Sequence, residues 1–245
     1  MDNSLMSKID QLQEYIDKSI DIVFFGGAGV STESGIPDFR SATGIFTNNL
    51  SAETIISHDY FFYKPEAFYK FYKEKMMYLN AEPNACHKKL SDLEKAGKHI
   101  TIITQNIDGL HQKAGSKHII ELHGSIYRNY CTKCNQAYDA KYVKKAQGVP
   151  RCSKCGGLIK PDVVLYGEPL AEETINQAIQ AMENADLLIV GGTSLKVYPA
   201  ASFIHFFEGN KKFYINMENE QLGDDFTFIK GKIGEVFSKI KVRRN

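Results

Sequence analysis

Four cysteines in the middle of the chain are the residues whose type and spacing indicate a specific chemistry most directly. They form two C-x-x-C pairs, Cys131 with Cys134 and Cys152 with Cys155, and residues 135–151 lie between the pairs. A two-residue gap lets both thiolates of one turn face the same ion, and two such pairs supply the four soft ligands of tetrahedral zinc. A four-thiolate site has no open position for water. The spacing therefore predicts one structural zinc ion per chain that takes no part in a reaction.

A glycine-rich turn follows a short apolar strand predicted over residues 21–25, and it reads Gly-Gly-Ala-Gly at residues 26–29. Closely spaced glycines after a strand let backbone N–H groups approach a pyrophosphate, as in dinucleotide-binding folds. The dinucleotide pattern is incomplete because Thr32 occupies its third glycine position, and a plain glycine turn explains these residues about equally well. Phe39 and Arg40 follow. They could cover a bound ring and pair with a phosphate, although a core Phe beside a surface Arg is the simpler alternative.

Polar side chains also follow the next two predicted strands, at residues 100–104 and 119–122. Gln105, Asn106 and Asp108 come after the first, where amide and acid groups could bind a carboxamide or a ribose. Asn106 or Asp108 could instead cap a helix over 109–114. His123 follows the second strand and is the natural general base near neutral pH, although a single His is more often structural.

Small and hydroxyl-bearing residues end two later strands. Thr193 and Ser194 follow one of them, and Asn216 ends the other. Ligands bind at the carboxyl edge of open α/β sheets, so these residues suit contacts with phosphate or ribose. Five strand-end motifs on one edge are hard to explain by packing alone, and together they predict a binding site there.

The elements that must position these motifs alternate between strands and helices. Strands are predicted at 21–25, 100–104, 119–122, 162–165, 186–190 and 213–216, and helices at 7–18 with Ser7 as N-cap, 84–96 closed by Gly97, 171–184, 199–208 and 232–240. This alternation predicts an α/β fold with a Rossmann-like parallel sheet covered on both faces.

Two segments do not fit the alternation. Residues 38–83 are rich in Tyr and Phe and predicted to be helical, and residues 126–160 hold the cysteine pairs. We expect both to be insertions that pack together as a small second domain with a zinc ribbon. The Rossmann-like domain would then comprise 1–37, 84–125 and 161–245.

The bulk composition excludes some function classes. The chain has 245 residues, with 43% hydrophobic and 24% charged residues and a net charge of +1, so no global field favours nucleic acid or an anionic membrane. No apolar run reaches the ~20 residues of a membrane span, and the amino terminus lacks a secretory pattern. Cys86 is a fifth, unpaired cysteine, which suits a reducing compartment. These features predict a cytoplasmic protein and leave its oligomeric state open.

In combination, the motifs resemble those of the sirtuin (silent information regulator) family of NAD-dependent protein deacylases, of the bacterial type, over nearly the full chain. The shared motifs appear in the family's order: GAGVSTESGIPDFR at 27–40, TQNID at 104–108, the His of ELHG at 121–124, the two C-x-x-C pairs, LYGE at 165–168, GTSL at 192–195 and Asn216. The family consumes NAD as a substrate and binds it in an inverted sense relative to dehydrogenases, which accounts for the partial glycine pattern.

The resemblance implies a role for each matching residue. The phosphate and ribose path would be lined by Ala28, Gly29, Thr32 and Arg40, with Phe39 shielding the anomeric carbon after nicotinamide leaves. The nicotinamide and its ribose would be surrounded by Gln105, Asn106, Ile107 and Asp108, with His123 as the base acting on the ribose and Asn106 as its catalytic companion. The adenosine half would contact Thr193, Ser194, Asn216 and the backbone near Ile233. An acetylated peptide would add as an extended strand along Val163–Glu168.

The implied function is NAD-dependent deacetylation of protein lysines. The acyl oxygen would attack the ribose anomeric carbon and expel nicotinamide, and the acetyl group would end on ADP-ribose. One alternative is a protein mono-ADP-ribosyltransferase on the same scaffold. Another is a non-enzymatic zinc-ribbon module that senses NAD or binds nucleic acid; the set of His123, Asn106 and Asp108 argues against it, and the near-neutral charge argues against nucleic acid.

The acyl group is expected to be uncharged, with acetyl preferred over succinyl. Family members that take acidic acyl chains carry a Tyr-x-x-Arg pattern in the helical insertion. This chain resembles them at Tyr69 but has Tyr72 in the Arg position. Lys70 or Lys73 could still supply a cation. Leu165 and Tyr166 depart slightly from the family's usual aromatic residues, which bears on peptide preference.

Overall fold

The computed structural model describes residues 3–39, 44, 52–220 and 222–243. Its strands are β1 (Asp21–Gly26), β2 (His99–Thr104), β3 (Ile119–Glu121), β4 (Gly124–Cys131), β5 (Ala137–Asp139), β6 (Ile159–Val163), β7 (Leu187–Gly191), β8 (Lys212–Asn216) and β9 (Phe226–Lys230). Its α-helices are α1 (Asn3–Lys18), α2 (Ala52–Ile55), α3 (His58–Tyr63), α4 (Pro65–Lys75), α5 (Ala85–Lys95), α6 (Leu110–Ala114), α7 (Ala140–Lys145), α8 (Glu172–Asn184) and α9 (Ile233–Lys239). Two 3₁₀ helices span Ala28–Ser34 and Ala200–Phe206.

Six strands form one parallel sheet in the spatial order β3-β2-β1-β7-β8-β9. The strand order reverses direction on the two sides of β1, which is the topological switch point where open α/β sheets bind ligands. Successive residues of β1 point to opposite faces of this sheet. Phe24 packs in one buried cluster with α1, α5 and α9, and Phe25 packs in another with α8 and the second 3₁₀ helix. The predicted parallel sheet with helices on both faces is confirmed.

A second, three-stranded antiparallel sheet has the order β5-β4-β6 and packs with α2, α3, α4 and α7 around a third buried cluster. This cluster is aromatic: Phe61, Phe68, Tyr69 and Tyr72 are all fully buried. In the described part of the segment 38–83, the three helices α2, α3 and α4 lie between residues 52 and 75, in agreement with the helical character expected from the sequence.

The structure differs from the sequence-based elements at several places. The strand expected over 162–165 is β6, which ends at Val163 and pairs with β4 in the small sheet. Placing it in the central sheet was wrong, because β6 is hydrogen-bonded to β4 from Ile159 opposite Cys131 to Val163 opposite Gly124.

The starts, ends and types of three helices can be compared with those expected from the sequence. Helix α1 begins at Asn3, so Ser7 lies inside it and does not cap it. The segment expected as a helix over 199–208 is a 3₁₀ helix. Helix α5 begins after Asn84, whose side chain accepts a hydrogen bond from Cys86 N, and Gly97 has the positive φ of +102° expected just after a helix. Within the described residues, no helix is long and apolar enough to cross a membrane.

Candidate active site

A cleft with a cavity of about 510 Å³ lies at the carboxyl ends of β1, β2, β7 and β8, against the small sheet. It contains all the cofactor-binding and catalytic residues expected from the sequence, apart from Arg40: Ala28, Gly29, Thr32, Phe39, Gln105, Asn106, Ile107, Asp108, His123, Thr193, Ser194, Asn216 and Ile233. All six residues of Val163–Glu168 line the same cleft. Arg40 lies outside the described residues. Residues that are distant in sequence thus meet in one cavity.

The glycines of the turn after β1 serve a close approach of two backbones. Gly29 N donates a hydrogen bond of 2.7 Å to the carbonyl of Gly192, in the turn after β7. A Cβ on Gly29 would lie 2.8 Å from the Cα of Gly192, and Gly192 itself has a φ of +59°. These two glycines are therefore required for packing the two turns together, whether or not a phosphate lies beside them. The hydroxyl of Thr32 donates to the Gly29 carbonyl at 3.0 Å, so Thr32 supports the same turn.

His123 is held in one tautomer by its neighbour. Its Nδ1 lies 2.9 Å from the carbonyl oxygen of Gln105, and a carbonyl can only accept a hydrogen bond, so Nδ1 carries the proton. In the neutral ring Nε2 is then left as the basic nitrogen. Burial lowers the pKa of His123, and the bond to Gln105 opposes that shift only in part. The imidazole is therefore neutral near pH 7 and able to accept a proton, as general-base catalysis requires.

A chain of three side chains connects the two polar motifs beside His123. Asn106 Nδ2 donates to Ser31 Oγ at 3.1 Å, and Ser31 Oγ donates to Asp108 Oδ2 at 2.6 Å. The other oxygen of Asp108 accepts from Leu110 N at 2.9 Å. Burial raises the pKa of the Asp108 carboxyl, and the bonds from Ser31 and Leu110 act against it. The side chains of Asn106 and Asp108 are thus held in fixed orientations at the cavity wall.

Asp108 lines the cleft, and its carboxylate also accepts from the first N–H of α6, as the helix-cap alternative predicted. Of the three hydrogen-bonded side chains, Ser31 is the one that the sequence analysis did not identify as a candidate site residue. It is 1% exposed, and its hydroxyl bridges Asn106 and Asp108. The available signal was its position inside the glycine turn, where a hydroxyl faces the end of the neighbouring strand β2.

On the other side of β1, Thr193 and Asn216 lie next to each other. Asn216 Nδ2 is 3.3 Å from the carbonyl oxygen of Thr193, and Gln105 Nε2 donates to Thr193 Oγ1 at 3.3 Å. Ser194 lines the cleft beside them, and Ile233 lines it where α9 begins. Thr193, Ser194 and Asn216 form a second polar patch, which Gln105 connects to His123 because its side chain contacts Thr193 and its carbonyl contacts His123.

The segment expected to bind a peptide forms one rim of the cleft. Its backbone is fixed at Tyr166, where N–H donates to Ile56 O at 3.1 Å and the carbonyl accepts from His58 N at 2.9 Å. The Glu168 carboxylate accepts from Leu165 N at 2.9 Å and from Lys160 Nζ at 3.0 Å. Backbone and ion-pair contacts therefore hold this rim in place before any substrate arrives.

The four cysteines form a compact cluster on the small sheet. Their sulfur atoms all lie within 4.8 Å of one another, with separations of 3.5 Å for Cys131–Cys155 and 3.6 Å for Cys134–Cys152, and none is in a disulfide. Zn–S bonds of about 2.3 Å in a tetrahedron place sulfurs about 3.8 Å apart, which fits this cluster.

The two cysteine turns have the same backbone geometry. In each, the residue after the second Cys has a positive φ, Asn135 at 56° and Gly156 at 70°. Each of these residues donates its N–H to the carbonyl of the first Cys of its pair, at 3.0 and 2.9 Å. Two turns of this kind direct four thiols at one point, and the donor set fits a structural zinc ion.

Among its described residues, the helical insertion contributes one basic residue to the cleft wall. Tyr69 and Tyr72 are fully buried in the aromatic cluster, and in the described part of the chain the Tyr72 hydroxyl has no hydrogen-bond partner. Lys73 donates to the carbonyls of Ala146 and Gly148, which lie between the two cysteine pairs, and Lys70 is exposed. Lys75, at the end of α4, is the α4 lysine that lines the cleft.

His87 is a second histidine that could be considered as a base, and it lies apart from the cleft. It lies at the start of α5, is fully buried, and its Nδ1 accepts a hydrogen bond from Asn84 N at 3.3 Å. Its ring lies 4.6 Å from that of the buried His111, and it is not among the residues that line the cleft. His87 is therefore a structural residue at the start of α5.

Comparison with known proteins gives one consistent result. The family model of the Sir2 family matches residues 27–199. A protein of Clostridium perfringens named NAD-dependent protein deacetylase is 52% identical over 239 residues, which cover 95% of this chain and 98% of that protein. A protein of Clostridium tetani with the same name is 56% identical over 210 residues, covering 84% and 85% of the two chains.

Solved structures agree in fold over almost the whole chain. A complex described as Sir2, p53 peptide and NAD⁺ superimposes with a TM-score of 0.84 at 37% identity, covering 95% of this chain and 96% of that one. A Sir2 variant with a deacetylated p53 peptide and 3′-O-acetyl ADP ribose superimposes with a TM-score of 0.87 at 36% identity, covering 94% and 96%.

Proposed function

This chain belongs to the Sir2 family, and on that premise we propose that its cleft carries out NAD-dependent deacetylation of protein lysines. It is an NAD-dependent protein deacetylase that transfers the acetyl group to ADP-ribose and releases nicotinamide. The observation that carries the assignment of residues is the tautomer of His123. Its Nδ1 is committed to Gln105 O, so the neutral ring offers Nε2 as a base in the same cavity as Asn106 and Asp108.

The nicotinamide end of NAD is assigned to the pocket formed by Asn106, Ser31 and Asp108. NAD supplies an anomeric carbon that the acetyl oxygen can attack as nicotinamide leaves. Asp108 and Asn106 are fixed through Ser31, so they can orient the carboxamide and the ribose without reorganising. Ile107 and Phe39 line the same part of the cleft and are the apolar groups that would limit water at the reacting carbon.

After nicotinamide has left, His123 acts on the ribose. Nε2 accepts a proton from a ribose hydroxyl, and the resulting oxygen attacks the carbon of the former acetyl group. Water then completes the transfer, so the products are lysine, nicotinamide and O-acetyl-ADP-ribose. The bond from Nδ1 to Gln105 O keeps the ring oriented through both protonation states, because Nδ1 is a donor in each.

The substrate lysine is assigned to the rim Val163–Glu168. An extended peptide can pair with this segment as an added strand, a mode in which main-chain hydrogen bonds supply affinity. The Lys160–Glu168 ion pair, with both side chains about one-fifth exposed, holds the Glu168 carboxylate that accepts from Leu165 N in this rim. The description of a relative with a bound p53 peptide is consistent with a peptide substrate.

The four cysteines would hold one zinc ion as a structural element, because all four ligand positions come from protein sulfur. We also propose the division into an NAD-binding domain of 1–37, 84–125 and 161–245 and a small domain of 38–83 and 126–160, with β4 and β6 of the three-stranded sheet crossing its boundaries. None of the five cysteines is in a disulfide, which suits the reducing cytoplasm, where we place the enzyme.

The function is tested by measuring nicotinamide release with a peptide that carries acetyl-lysine, and with the same peptide unacetylated. Nicotinamide should appear only when both NAD and the acetylated peptide are present, because the acetyl oxygen is the attacking group. Release at the same rate with the unacetylated peptide would contradict the proposal and indicate simple NAD hydrolysis. No release with any acylated peptide would favour a module that binds NAD without turning it over.

A further inference from the structure

Tyr214 is a buried residue of β8 that none of the roles above requires. It is 1% exposed, and its ring packs 5.6 Å from that of Phe228 on the neighbouring strand β9. Its hydroxyl, however, reaches the end of the sheet. It donates to the carbonyl oxygen of Thr193 at 3.0 Å and accepts from Asn216 Nδ2 at 2.5 Å. A core tyrosine thus contacts two residues of the cleft wall at once.

These contacts lie just beyond the point where β7 and β8 stop pairing. The last backbone bond between the two segments runs from Gly192 N to Ile215 O, at 3.1 Å. Past that bond, Thr193 and Asn216 are joined only by side-chain contacts: the bond of 3.3 Å from Asn216 Nδ2 to Thr193 O, and the two bonds of the Tyr214 hydroxyl. The hydroxyl therefore extends the connection between the strands by one residue on each.

The same contacts fix the side-chain amide of Asn216. Its nitrogen is directed at Tyr214 and the Thr193 carbonyl, and its oxygen accepts from Met217 N at 3.0 Å. On the other strand, Thr193 Oγ1 accepts from Leu195 N at 3.1 Å. Without the Tyr214 hydroxyl, Asn216 Nδ2 would keep only the longer bond to Thr193, and the orientation of its amide would be less restricted.

We propose that Tyr214 is a positioning residue for NAD, whose hydroxyl holds Thr193 and Asn216 at the spacing that the adenosine half requires. The inference rests on the proposed function, which assigns the adenosine half to these two residues. Tyr214 does not line the cleft and acts through its neighbours. Its effect should therefore be confined to binding of the adenosine half and should leave the chemistry at His123 unchanged.

The variant Tyr214→Phe isolates the hydroxyl, because the phenyl ring keeps the packing against Phe228. The two lost hydrogen bonds are made in the free protein as well, so only the part of their energy that orders Thr193 and Asn216 is lost from binding, and KM for NAD and the Kd of ADP-ribose should rise about 5-fold. The kcat at saturating NAD and the KM of the peptide should stay within about twofold. Inhibition by nicotinamide should also be unchanged, because nicotinamide binds at the Asn106 end. Tyr142→Phe is the matched control. It removes a tyrosine hydroxyl that donates to Arg151 O at 2.9 Å, between the two cysteine pairs and away from the cleft.

Asn216→Ala and the double variant Tyr214→Phe/Asn216→Ala complete a thermodynamic cycle. If the hydroxyl acts through Asn216, the two effects on ADP-ribose binding should be clearly less than additive. Unchanged ADP-ribose binding in Tyr214→Phe, while Asn216→Ala weakens it, would overturn this inference and leave the proposed function intact. Normal NAD binding in Asn216→Ala would instead remove the assignment of the adenosine half itself. A fall in kcat and thermal stability equal to that of Tyr142→Phe, with KM for NAD unchanged, would show a purely structural role and also overturn it.

Discussion

The role of His123 gives the sharpest single perturbation, the variant His123→Ala. Its cost to folding should be small, because the half-buried ring makes one hydrogen bond to the described protein, to Gln105 O. One such bond contributes about 1 kcal/mol, which for a chain of this size corresponds to roughly 2–4 °C in Tm. Its cost to catalysis should be much larger, since loss of a general base lowers rates by about 10²–10⁴-fold. The variant should therefore be folded and nearly inactive.

The assay follows two steps of the reaction separately. Production of O-acetyl-ADP-ribose requires the base and should fall by the full factor. Exchange of labelled nicotinamide into NAD, in the presence of acetylated peptide, precedes the action of His123 and should fall less than about tenfold. In the unmodified enzyme, the acid limb of the pH profile of kcat/KM should have its midpoint below 6.5, because burial lowers the pKa of His123 from its usual value of 6.5.

His87→Ala is the matched control. His87 does not line the cleft, so its loss should reduce stability more than turnover at a permissive temperature. The reasoning is refuted if His87→Ala abolishes turnover at unchanged stability while His123→Ala remains active. It is also refuted if nicotinamide exchange and product formation fall in His123→Ala by the same large factor.

Three further predictions concern the metal, the acyl group and acid stability. Cys152→Ser should lose zinc, unfold at lower temperature and lose activity as a consequence, whereas Cys86→Ser should keep both metal and activity. A Cys152→Ser protein that metal analysis shows to be free of zinc, and that thermal denaturation shows to be fully stable, would contradict this. Acetyl-lysine should be turned over with a kcat/KM roughly a hundredfold above succinyl-lysine on the same peptide, because Tyr72 offers no charge to a carboxylate. A kcat/KM for succinyl-lysine equal to or above that for acetyl-lysine would contradict this prediction. Loss of that succinyl turnover in Lys75→Met would then identify Lys75 as the cation that pairs with the carboxylate. Burial lowers the pKa of His87 to about 4, below the 6.5 of the unfolded chain, so the folded state resists protonation and the free energy of unfolding should fall by roughly 1.4 kcal/mol for each pH unit between 6.5 and 4 on account of this group. Urea unfolding of His87→Gln should show a correspondingly shallower dependence on pH in that window, and an identical dependence would show that His87 is not the group that titrates.

Much of the central sheet could be predicted from the sequence, because its strands are short continuous apolar runs that parallel, fully buried strands require. The cysteine cluster was equally accessible, since C-x-x-C turns bring their ligands together locally. β4 was not foreseen, because its residues Tyr127 to Tyr130 are polar and aromatic without clear alternation. The placement of β6 depends on its pairing with β4, which is a tertiary contact that no local pattern encodes.

The candidate site also contains residues that could be predicted from the sequence and residues that could not. Residues at the ends of parallel strands must meet at one edge, so the chain positions of His123, Thr193 and Asn216 were enough to bring them together. The bridging role of Ser31 and the contacts of Tyr214 depend on side-chain directions across strands that are far apart in sequence. Tyr214 in particular reads as an ordinary core residue of an apolar strand, and only its hydroxyl contacts reveal a connection to the cleft.

The fate of both substrates tests the account most directly. Zinc-loaded enzyme would be incubated with NAD labelled in the adenine ring and with a peptide whose lysine carries a ¹³C-labelled acetyl group, and all products would be analysed by mass spectrometry. The account predicts that each deacetylated lysine yields one molecule of O-acetyl-ADP-ribose carrying both labels, with one nicotinamide released. Recovery of the adenine label on protein, with the acetyl group still on lysine, would contradict it and establish a mono-ADP-ribosyltransferase.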